Sequence, residues 1–152
     1  FDIHRLIEKK KLYLGGTKIP FHSGLQGHSD GDVILHAIID AILGAIQKKD
    51  IGTYFPSNKN KFKNIRSPKM LRPILENLYK NNFSINNLDI NLICERPKVS
   101  KYRNIIINSV SNIMKIDKNK INLKGKTVEK LGLIGKEKAI ACQVIISITK
   151  YD

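Results

Sequence analysis

The sequence predicts an α+β fold, and three stretches carry that prediction. Ile34, Ile38, Ala41, Ile42 and Ala45 recur at three- and four-residue spacings, the period of a helix. Leu88, Ile90, Leu92 and Cys94 alternate with mostly polar neighbours, the period of a strand. Ala139 to Thr149 is strongly apolar and β-branched, which fits a central strand. No internal repeat, heptad pattern or linker interrupts the chain, so residues 1–152 read as a single domain, long enough to bury a real core.

The elements follow in order. Phe1 to Leu6 reads as a strand with Asp2 and His4 on one face and Phe1 and Ile3 on the other. Glu8 to Lys11 is a polar turn. Leu12-Tyr13-Leu14 and Lys18-Ile19-Pro20 flank Gly15-Gly16 as a hairpin. Phe21 to Gly27 is expected to be a loop into the first helix. Ser29 or Asp30 caps that helix, with Asp32 in its first turn; it runs to about Lys48, and Asp50-Ile51-Gly52 ends it. Thr53 to Arg66 holds Pro56, several Asn and the cations Lys59, Lys61, Lys63 and Arg66, a loop composition. Ser67-Pro68 reads as N-cap and N1 of a second helix through Leu78, its first turn disturbed by Pro73. Phe83 to Asn87 is expected to turn before the alternating strand, which stops at Arg96-Pro97. A third helix over roughly Val99 to Met114 would bury Ile105, Ile106, Val110, Ile113 and Met114. Ile121 to Lys124 is a short strand. Gly125 to Lys138 is a loop with a helical turn at Val128-Glu129-Lys130.

Composition narrows the function. The formal charge of +14 favours an anionic partner: nucleic acid, a membrane surface or a phosphorylated small molecule. Two cysteines, Cys94 and Cys142, make no disulfide scaffold, and the absence of a CxxC pair argues against a zinc knuckle or a redox dithiol. No run reaches the roughly eighteen apolar residues of a membrane span. The opening at Phe1, without Met, leads us to expect further residues upstream in the gene.

Several groups are candidates for chemistry, each with a plainer alternative. Asp2 and His4 on one strand face, joined by His36 from the helix, would form an Asp-His-His set with an open fourth position, the composition of a catalytic zinc site. The plainer reading is a satisfied core histidine. Asp32, His36 and Asp40 share a helix face, so Asp32 or Asp40 is a candidate support for His36. His28, next to a helix start, suits a phosphate or is simply a surface histidine. Asp50, just past a helix, opposes the helix dipole and could serve a diol, or merely close a turn. Glu95-Arg96-Pro97-Lys98-Val99 ends a strand, either as a ligand loop or as a charged turn. Lys124 to Gly132 joins cations, Thr127 and Glu129, a mixture suited to a phosphate with a bridging divalent ion, or a basic surface loop; it is not a Walker A motif. Glu129 is the only carboxylate between Asp117 and Glu137, so local charge balance is its alternative role.

Phe1-Asp2-Ile3-His4, His28-Ser29-Asp30-Gly31-Asp32-Val33-x-x-His36, Asp50-Ile51-Gly52-x-x-Phe55-Pro56 and Thr127-x-Glu129-x-Leu131-Gly132 occur together in this order. In these segments, and across essentially its whole length, the chain resembles the 2-C-methyl-D-erythritol 2,4-cyclodiphosphate synthase family of the non-mevalonate isoprenoid pathway. The resemblance implies a compact α+β protomer with helices on one face, assembled as a homotrimer around inward-facing four-stranded sheets, with active sites shared between neighbours. It implies zinc on Asp2, His4 and His36, and magnesium or manganese on Glu129 bridging the substrate diphosphate. His28 and Thr127 take the place of transition-state stabilisers. Ser29 holds the substrate with His28. Asp50 and Gly52 surround its ribose and erythritol parts. Phe55, Pro56, Ser57, Asn58 and Lys59 form a loop over its methylerythritol phosphate. Cys94, Glu95, Arg96, Pro97, Lys98, Val99 and Ser100 form its cytosine pocket.

The resemblance has departures. Lys59 stands where bacterial members often carry an acid, Lys126 where Thr is usual, and Leu133 where Phe is common beside a central channel. Lys136 replaces a common Arg and loses its planar fork for phosphate. The implied reaction is phosphorus–oxygen lysis of 4-diphosphocytidyl-2-C-methyl-D-erythritol 2-phosphate to the 2,4-cyclodiphosphate and CMP by intramolecular phosphoryl transfer. The implied compartment is a plastid (apicoplast) if the source is a parasite, and the cytoplasm if it is bacterial. No nucleic-acid or membrane partner is implied. The alternatives are a basic nucleic-acid-binding module, motivated by the charge, and a structural trimer without activity, which the intact Asp-His-His set argues against.

Overall fold

In the computed structural model, which describes residues 1–152, the β-branched run near the end of the chain is the central strand, β7 (Ala139–Lys150). Around it lie β1 (Asp2–Glu8), β4 (Ser23–Leu25), β5 (Phe83–Ile93) and β6 (Ile121–Lys126), in the order β4-β1-β7-β5-β6. Only β5 and β6 run parallel. The four-stranded sheet expected from the resemblance is thus extended by one short edge strand, β4, in a segment expected to be a loop. A hairpin of β2 (Leu12–Leu14) and β3 (Thr17–Ile19) turns through Gly15-Gly16 as expected. Gly16 has φ +83°, which side-chain-bearing residues rarely adopt, and a Cβ there would meet the Ile113 Cδ1, so glycine is favoured in the turn.

Helices α1 (Val33–Ala45), α3 (Ser67–Lys80) and α4 (Arg103–Met114) cover one face of the sheet; α2 (Ile51–Tyr54) and α5 (Gly132–Gly135) are short. One hydrophobic cluster joins these layers. Helix α1 lies between β7 and α3, so Leu35 and Ile39 are buried along with Ile34, Ile38 and Ile42. Each such side chain contributes roughly 1.5–3 kcal/mol by burial. That enclosure on several sides makes the apolar surface of the helix broader than a single stripe.

The cap of α1 is Asp32, rather than Ser29 or Asp30. Its carboxylate accepts from Ile34 N and Leu35 N, each at 3.2 Å, and from the hairpin amides Gly15 N at 2.9 Å and Gly16 N at 2.6 Å. A fully buried carboxylate is costly, and burial pushes its pKa up while those donors pull it back. Its removal would orphan four amides in a place without water. Asp32→Ala should therefore lower stability by about 3 kcal/mol or more, the sum of a lost cap and unpaired buried donors. Urea unfolding of the metal-free protein measures this, and a loss below about 1 kcal/mol would contradict the role of Asp32 as the tie between hairpin and helix.

Other elements differ from expectation for local reasons. Helix α1 stops at Ala45, and Asp50 begins α2 as its N-cap, accepting from Thr53 N at 2.8 Å. Helix α3 continues through Pro73; Met70, Leu71, Ile74, Leu75 and Leu78 pack beneath it and offset the roughly 3 kcal/mol cost of an interior proline. Phe83 to Asn87 belongs to β5, and the register shift between Ile85 and Asn87 places a bulge at the Asn-Asn pair that resembles a turn in sequence. In α4 the buried face is Ile106, Ile107, Val110 and Met114, while Ile105 is 52% exposed and Ile113 only partly buried. The helical turn expected at Val128-Glu129-Lys130 instead forms at Gly132–Gly135, because Glu129 and Lys130 have φ of +53° and +62°.

Candidate active site

Asp2 and His4 pair with Cys142 and Ile140 across β1 and β7, on the face of the sheet that α1 covers. His36, one turn beyond the cap of α1, meets them there. His4 Nε2 lies 2.8 Å from Asp2 Oδ2, His36 Nδ1 lies 3.0 Å from the same oxygen, and the two ring nitrogens are 3.0 Å apart. Burial alone would raise the pKa of Asp2, but hydrogen bonds from His36 and His4 outweigh it and hold the carboxyl well below the usual carboxylate range. With both ring nitrogens presenting lone pairs, as metal binding requires, the two imidazoles and the anionic oxygen would repel each other unless a cation lay among them. This donor set, which lines the cleft described below, therefore fits a divalent metal such as zinc.

The cleft beside the triad has a volume of about 180 Å³. His28, Ser29, Ile51, Gly52 and Phe55 line it, as do Phe62, Ile65 and Met70, which sequence reasoning had not singled out. His28 Nε2 is buried without a hydrogen-bond partner, an arrangement that calls for a ligand. The backbone carbonyl of His28 accepts from Asn64 N at 2.8 Å, and Phe55 and Phe62 pack edge to face with centroids 5.3 Å apart. The basic loop is thus folded over the cleft. Pro56, Ser57, Asn58 and Lys59 form its outer turn, closed by Lys59 N to Pro56 O at 3.2 Å. Asp50 is occupied in capping α2, and Gly52, rather than Asp50, faces the cleft.

A second cleft, of about 460 Å³, is bounded by Arg96, Pro97 and Lys98 with Phe21, Lys101 and Tyr102. Its neighbours in sequence have structural roles. Val99 packs against Gly125, where a Cβ would come within 2.7 Å of the valine, so glycine is required for the approach. Ser100 is exposed. Cys94 is buried, its thiol facing Pro97 O, and burial followed by the charge of Glu95 pushes its pKa up to about 12, which leaves it unreactive. Glu95 accepts from Val128 N at 3.0 Å and Lys130 N at 3.2 Å and so braces the loop that carries Thr127 and Glu129. Thr127 Oγ1 donates to Glu129 Oε1 at 3.1 Å.

These groups are not brought to the triad within one chain. Strands β7 and β5 separate β1 from β6, so Lys126 at the end of β6 stands three strand spacings away, about 14 Å. Thr127 and Glu129 follow at the ends of β6 and β5, braced by Glu95, whereas Leu133, 66% exposed, and Lys136 lie at the start of β7, where Lys138 N donates to Leu133 O at 2.9 Å and Leu6 N of β1 donates to Lys138 O at 2.9 Å.

Sequence reasoning also missed a support behind His36. Asp32 is a cap, and Asp40 accepts from Ile51 N at 2.7 Å, tying α1 to α2. The groups at His36 Nε2 are Ser29 Oγ and Ser67 Oγ, each at 3.0 Å. Ser67 had been expected to cap α3; Arg66 occupies that position, and the Ser67 hydroxyl turns inward.

An α+β protomer whose helix-covered sheet carries an Asp-His-His set beside an open cleft has the form of an enzyme with a site fit for a divalent metal. The family model described as the YgbB family matches residues 1–149, and the chain belongs to that family. It is 44% identical over 148 residues to the 2-C-methyl-D-erythritol 2,4-cyclodiphosphate synthase of Caldicellulosiruptor bescii, covering 97% of this chain and 94% of the relative. It is 56% identical over 152 residues to the bifunctional enzyme IspD/IspF of Pelagibacter ubique, of which it spans 41%. Its structure superposes on that of IspF of Plasmodium falciparum in complex with CDP with a TM-score of 0.86 at 44% identity, covering 99% of this chain and 93% of the other.

Proposed function

We propose that this domain converts 4-diphosphocytidyl-2-C-methyl-D-erythritol 2-phosphate to 2-C-methyl-D-erythritol 2,4-cyclodiphosphate and CMP. The observation that carries the reading is the Asp2-His4-His36 set beside a cleft containing the unpartnered His28 Nε2, in a chain of the YgbB family. An oxygen of the 2-phosphate forms a bond to the β-phosphorus as the bond from that phosphorus to the bridging oxygen breaks, and CMP leaves with the electron pair. The nucleophile is already an anion, so no general base is needed; the barrier lies in charge repulsion and ring closure. Asp2, His4 and His36 would hold zinc, which would supply positive charge to a phosphate oxygen. His28 Nε2 supplies a hydrogen bond where charge builds up. The hydroxyl of Ser29 accepts from Gly31 N at 3.3 Å and lies 3.0 Å from His36 Nε2; with a proton on that nitrogen, the Ser29 hydroxyl proton is left to donate to a phosphate. Phe55 and Phe62 exclude water from the folded substrate. Incubation of the protein with the cytidyl substrate should release CMP and cyclic diphosphate in equal amounts, read by phosphorus NMR; CMP without the cyclic product would indicate simple hydrolysis.

Family membership leaves the alternative of a nucleic-acid module without support, and the cations that motivated it lie on the loop over the cleft. No helix is long and apolar enough to cross a membrane.

The finer features of the reading are a shared site and a second metal. A cleft of about 180 Å³ is small for a nucleotide-bearing substrate, since ligand sites usually span about 300–1,000 Å³. A homotrimer that seats the Arg96–Lys98 cleft and the Thr127–Glu129 loop of one subunit against the triad of the next completes the site. The face of the sheet away from the helices carries exposed Phe1, Ile3 and Ile145, consistent with burial between subunits. The cytidine end is seated in the Arg96–Lys98 cleft; the similar Plasmodium protein forms a complex with CDP, which carries the same cytidine.

Glu129 would hold magnesium or manganese, which would offset the charge of the diphosphate, and the Thr127 hydroxyl, released from Glu129, would donate to the diphosphate. If Glu129 only balances charge, a surface role worth roughly 0–1 kcal/mol, Glu129→Gln should leave turnover nearly normal. As a metal ligand it should lose turnover by about 10-fold or more, partly recovered at high magnesium or manganese, with zinc content unchanged. CMP release across a magnesium titration decides between them.

A further inference from the structure

We infer that Asp30 and Ser67 act as positioning residues for the metal site: they hold the His36 ring with its proton on Nε2 and its Nδ1 lone pair on the metal. This rests on the reading of Asp2, His4 and His36 as a zinc site.

The hydrogen bonds require this direction. Asp30 is buried, and a carboxylate only accepts. Its oxygens receive Arg66 Nε at 2.8 Å, Ser67 N at 3.0 Å and Asp32 N at 3.2 Å, and Ser67 Oγ lies in close contact with Oδ1. The single proton of the Ser67 hydroxyl is therefore committed to Asp30. What Ser67 turns toward His36 Nε2, 3.0 Å away, is a lone pair, which demands an N–H there. Asp2 pulls the other way. Its Oδ2 is 3.0 Å from His36 Nδ1 and in the absence of metal favours a proton on that nitrogen, where a metal must bind. The Asp30–Ser67 pair supplies the opposing pull. Ser29 cannot replace it. No carboxylate fixes its hydroxyl proton, so it can donate to His36 Nε2 as readily as accept from it.

The relay is itself anchored. Arg66 donates from Nη2 to Gly16 O at 3.2 Å and stacks over Tyr13 at 3.9 Å. Arg66 thus links the hairpin and the start of α3 to Asp30 in the loop before α1, which brings together an acid and a serine 37 residues apart, the serine in turn facing His36.

The test uses Ser67→Ala, Ser67→Thr and Asp30→Asn in the full chain, with the zinc dissociation constant measured by chelator competition. Thermal unfolding of each metal-free variant identifies any folding defect. Loss of an outer support of this kind weakens metal binding by about 10- to 100-fold. We expect that loss in Ser67→Ala, and in Asp30→Asn, where the amide can donate to Ser67 and turn the hydroxyl proton toward His36. Ser67→Thr keeps the hydroxyl and should stay within a few-fold of wild type. In zinc-loaded protein labelled at histidine with nitrogen-15, the His36 Nε2–H should give a slowly exchanging signal in wild type and Ser67→Thr and a fast-exchanging one in Ser67→Ala. Wild-type zinc affinity and an unchanged signal in Ser67→Ala would overturn the relay while leaving the metal site standing. A wild-type chain that holds no zinc would overturn the metal reading, and the relay with it.

Discussion

Purified wild-type protein should contain about one zinc per chain, and His36→Ala should contain none and release CMP about 10³-fold more slowly or worse. The three donors of the triad come from two elements, two from β1 and one from α1. Truncation of His36 leaves Asp2 and His4, a two-ligand fragment without the convergence that makes a site. It also removes the hydrogen bond that contributes most to holding the Asp2 carboxyl in its anionic form. The consequence for folding is smaller. His36 sits at the cleft wall, and its loss exposes Ser29 and Ser67 hydroxyls that water can reach from the cleft. A variant that folds, melts cooperatively and lacks zinc is thus the expected product. Metal analysis beside circular dichroism reads both properties. Full zinc content in His36→Ala would remove His36 from the site, and folded, zinc-free protein with normal turnover would remove zinc from the reaction.

The parts of this molecule legible in sequence are those where one local rule acts alone. The central position of β7 follows from a run too apolar for any edge. The shared face of Asp2 and His4 follows from strand alternation, and the Gly15-Gly16 turn from the need for positive φ. Legibility fails where two elements compete for one side chain. Ser29, Asp30 and Asp32 are all good caps, and the hairpin decides among them: its amides need a buried acceptor, and only Asp32 reaches both them and the helix start. Asp30 is left to Arg66 and Ser67, a long-range pairing that no local spacing announces. The strand at Phe83 was obscured by a bulge, and β4 by its brevity. Segment order linked Thr127 and Glu129 to the triad through the resemblance alone. The topology explains why: two strands stand between them.

That separation leads to the second large effect. Inactive His4→Ala subunits mixed with inactive Glu129→Ala subunits should regain activity once the trimers exchange. In the proposed trimer, a ring of head-to-tail contacts, each site would take its triad from one subunit and its Thr127–Glu129 loop from the next. A site works when the triad comes from a Glu129→Ala subunit and the loop from a His4→Ala subunit. With equal, random mixing that occurs at about one site in four, so activity should rise from near zero to about a quarter of wild type. The within-chain alternative gives a sharply different result. If one subunit supplied both groups, every site would carry one of the two lesions, whatever its neighbours, and no mixture would recover. The geometry favours recovery, because about 14 Å of sheet lies between β1 and β6 and the triad cleft contains no residue from positions 94–136. Mass spectrometry of the mixture establishes that heterotrimers have formed, and CMP release before and after exchange gives the result. Heterotrimers without recovered turnover would place both groups in one subunit's site and would dismantle the shared-site assembly.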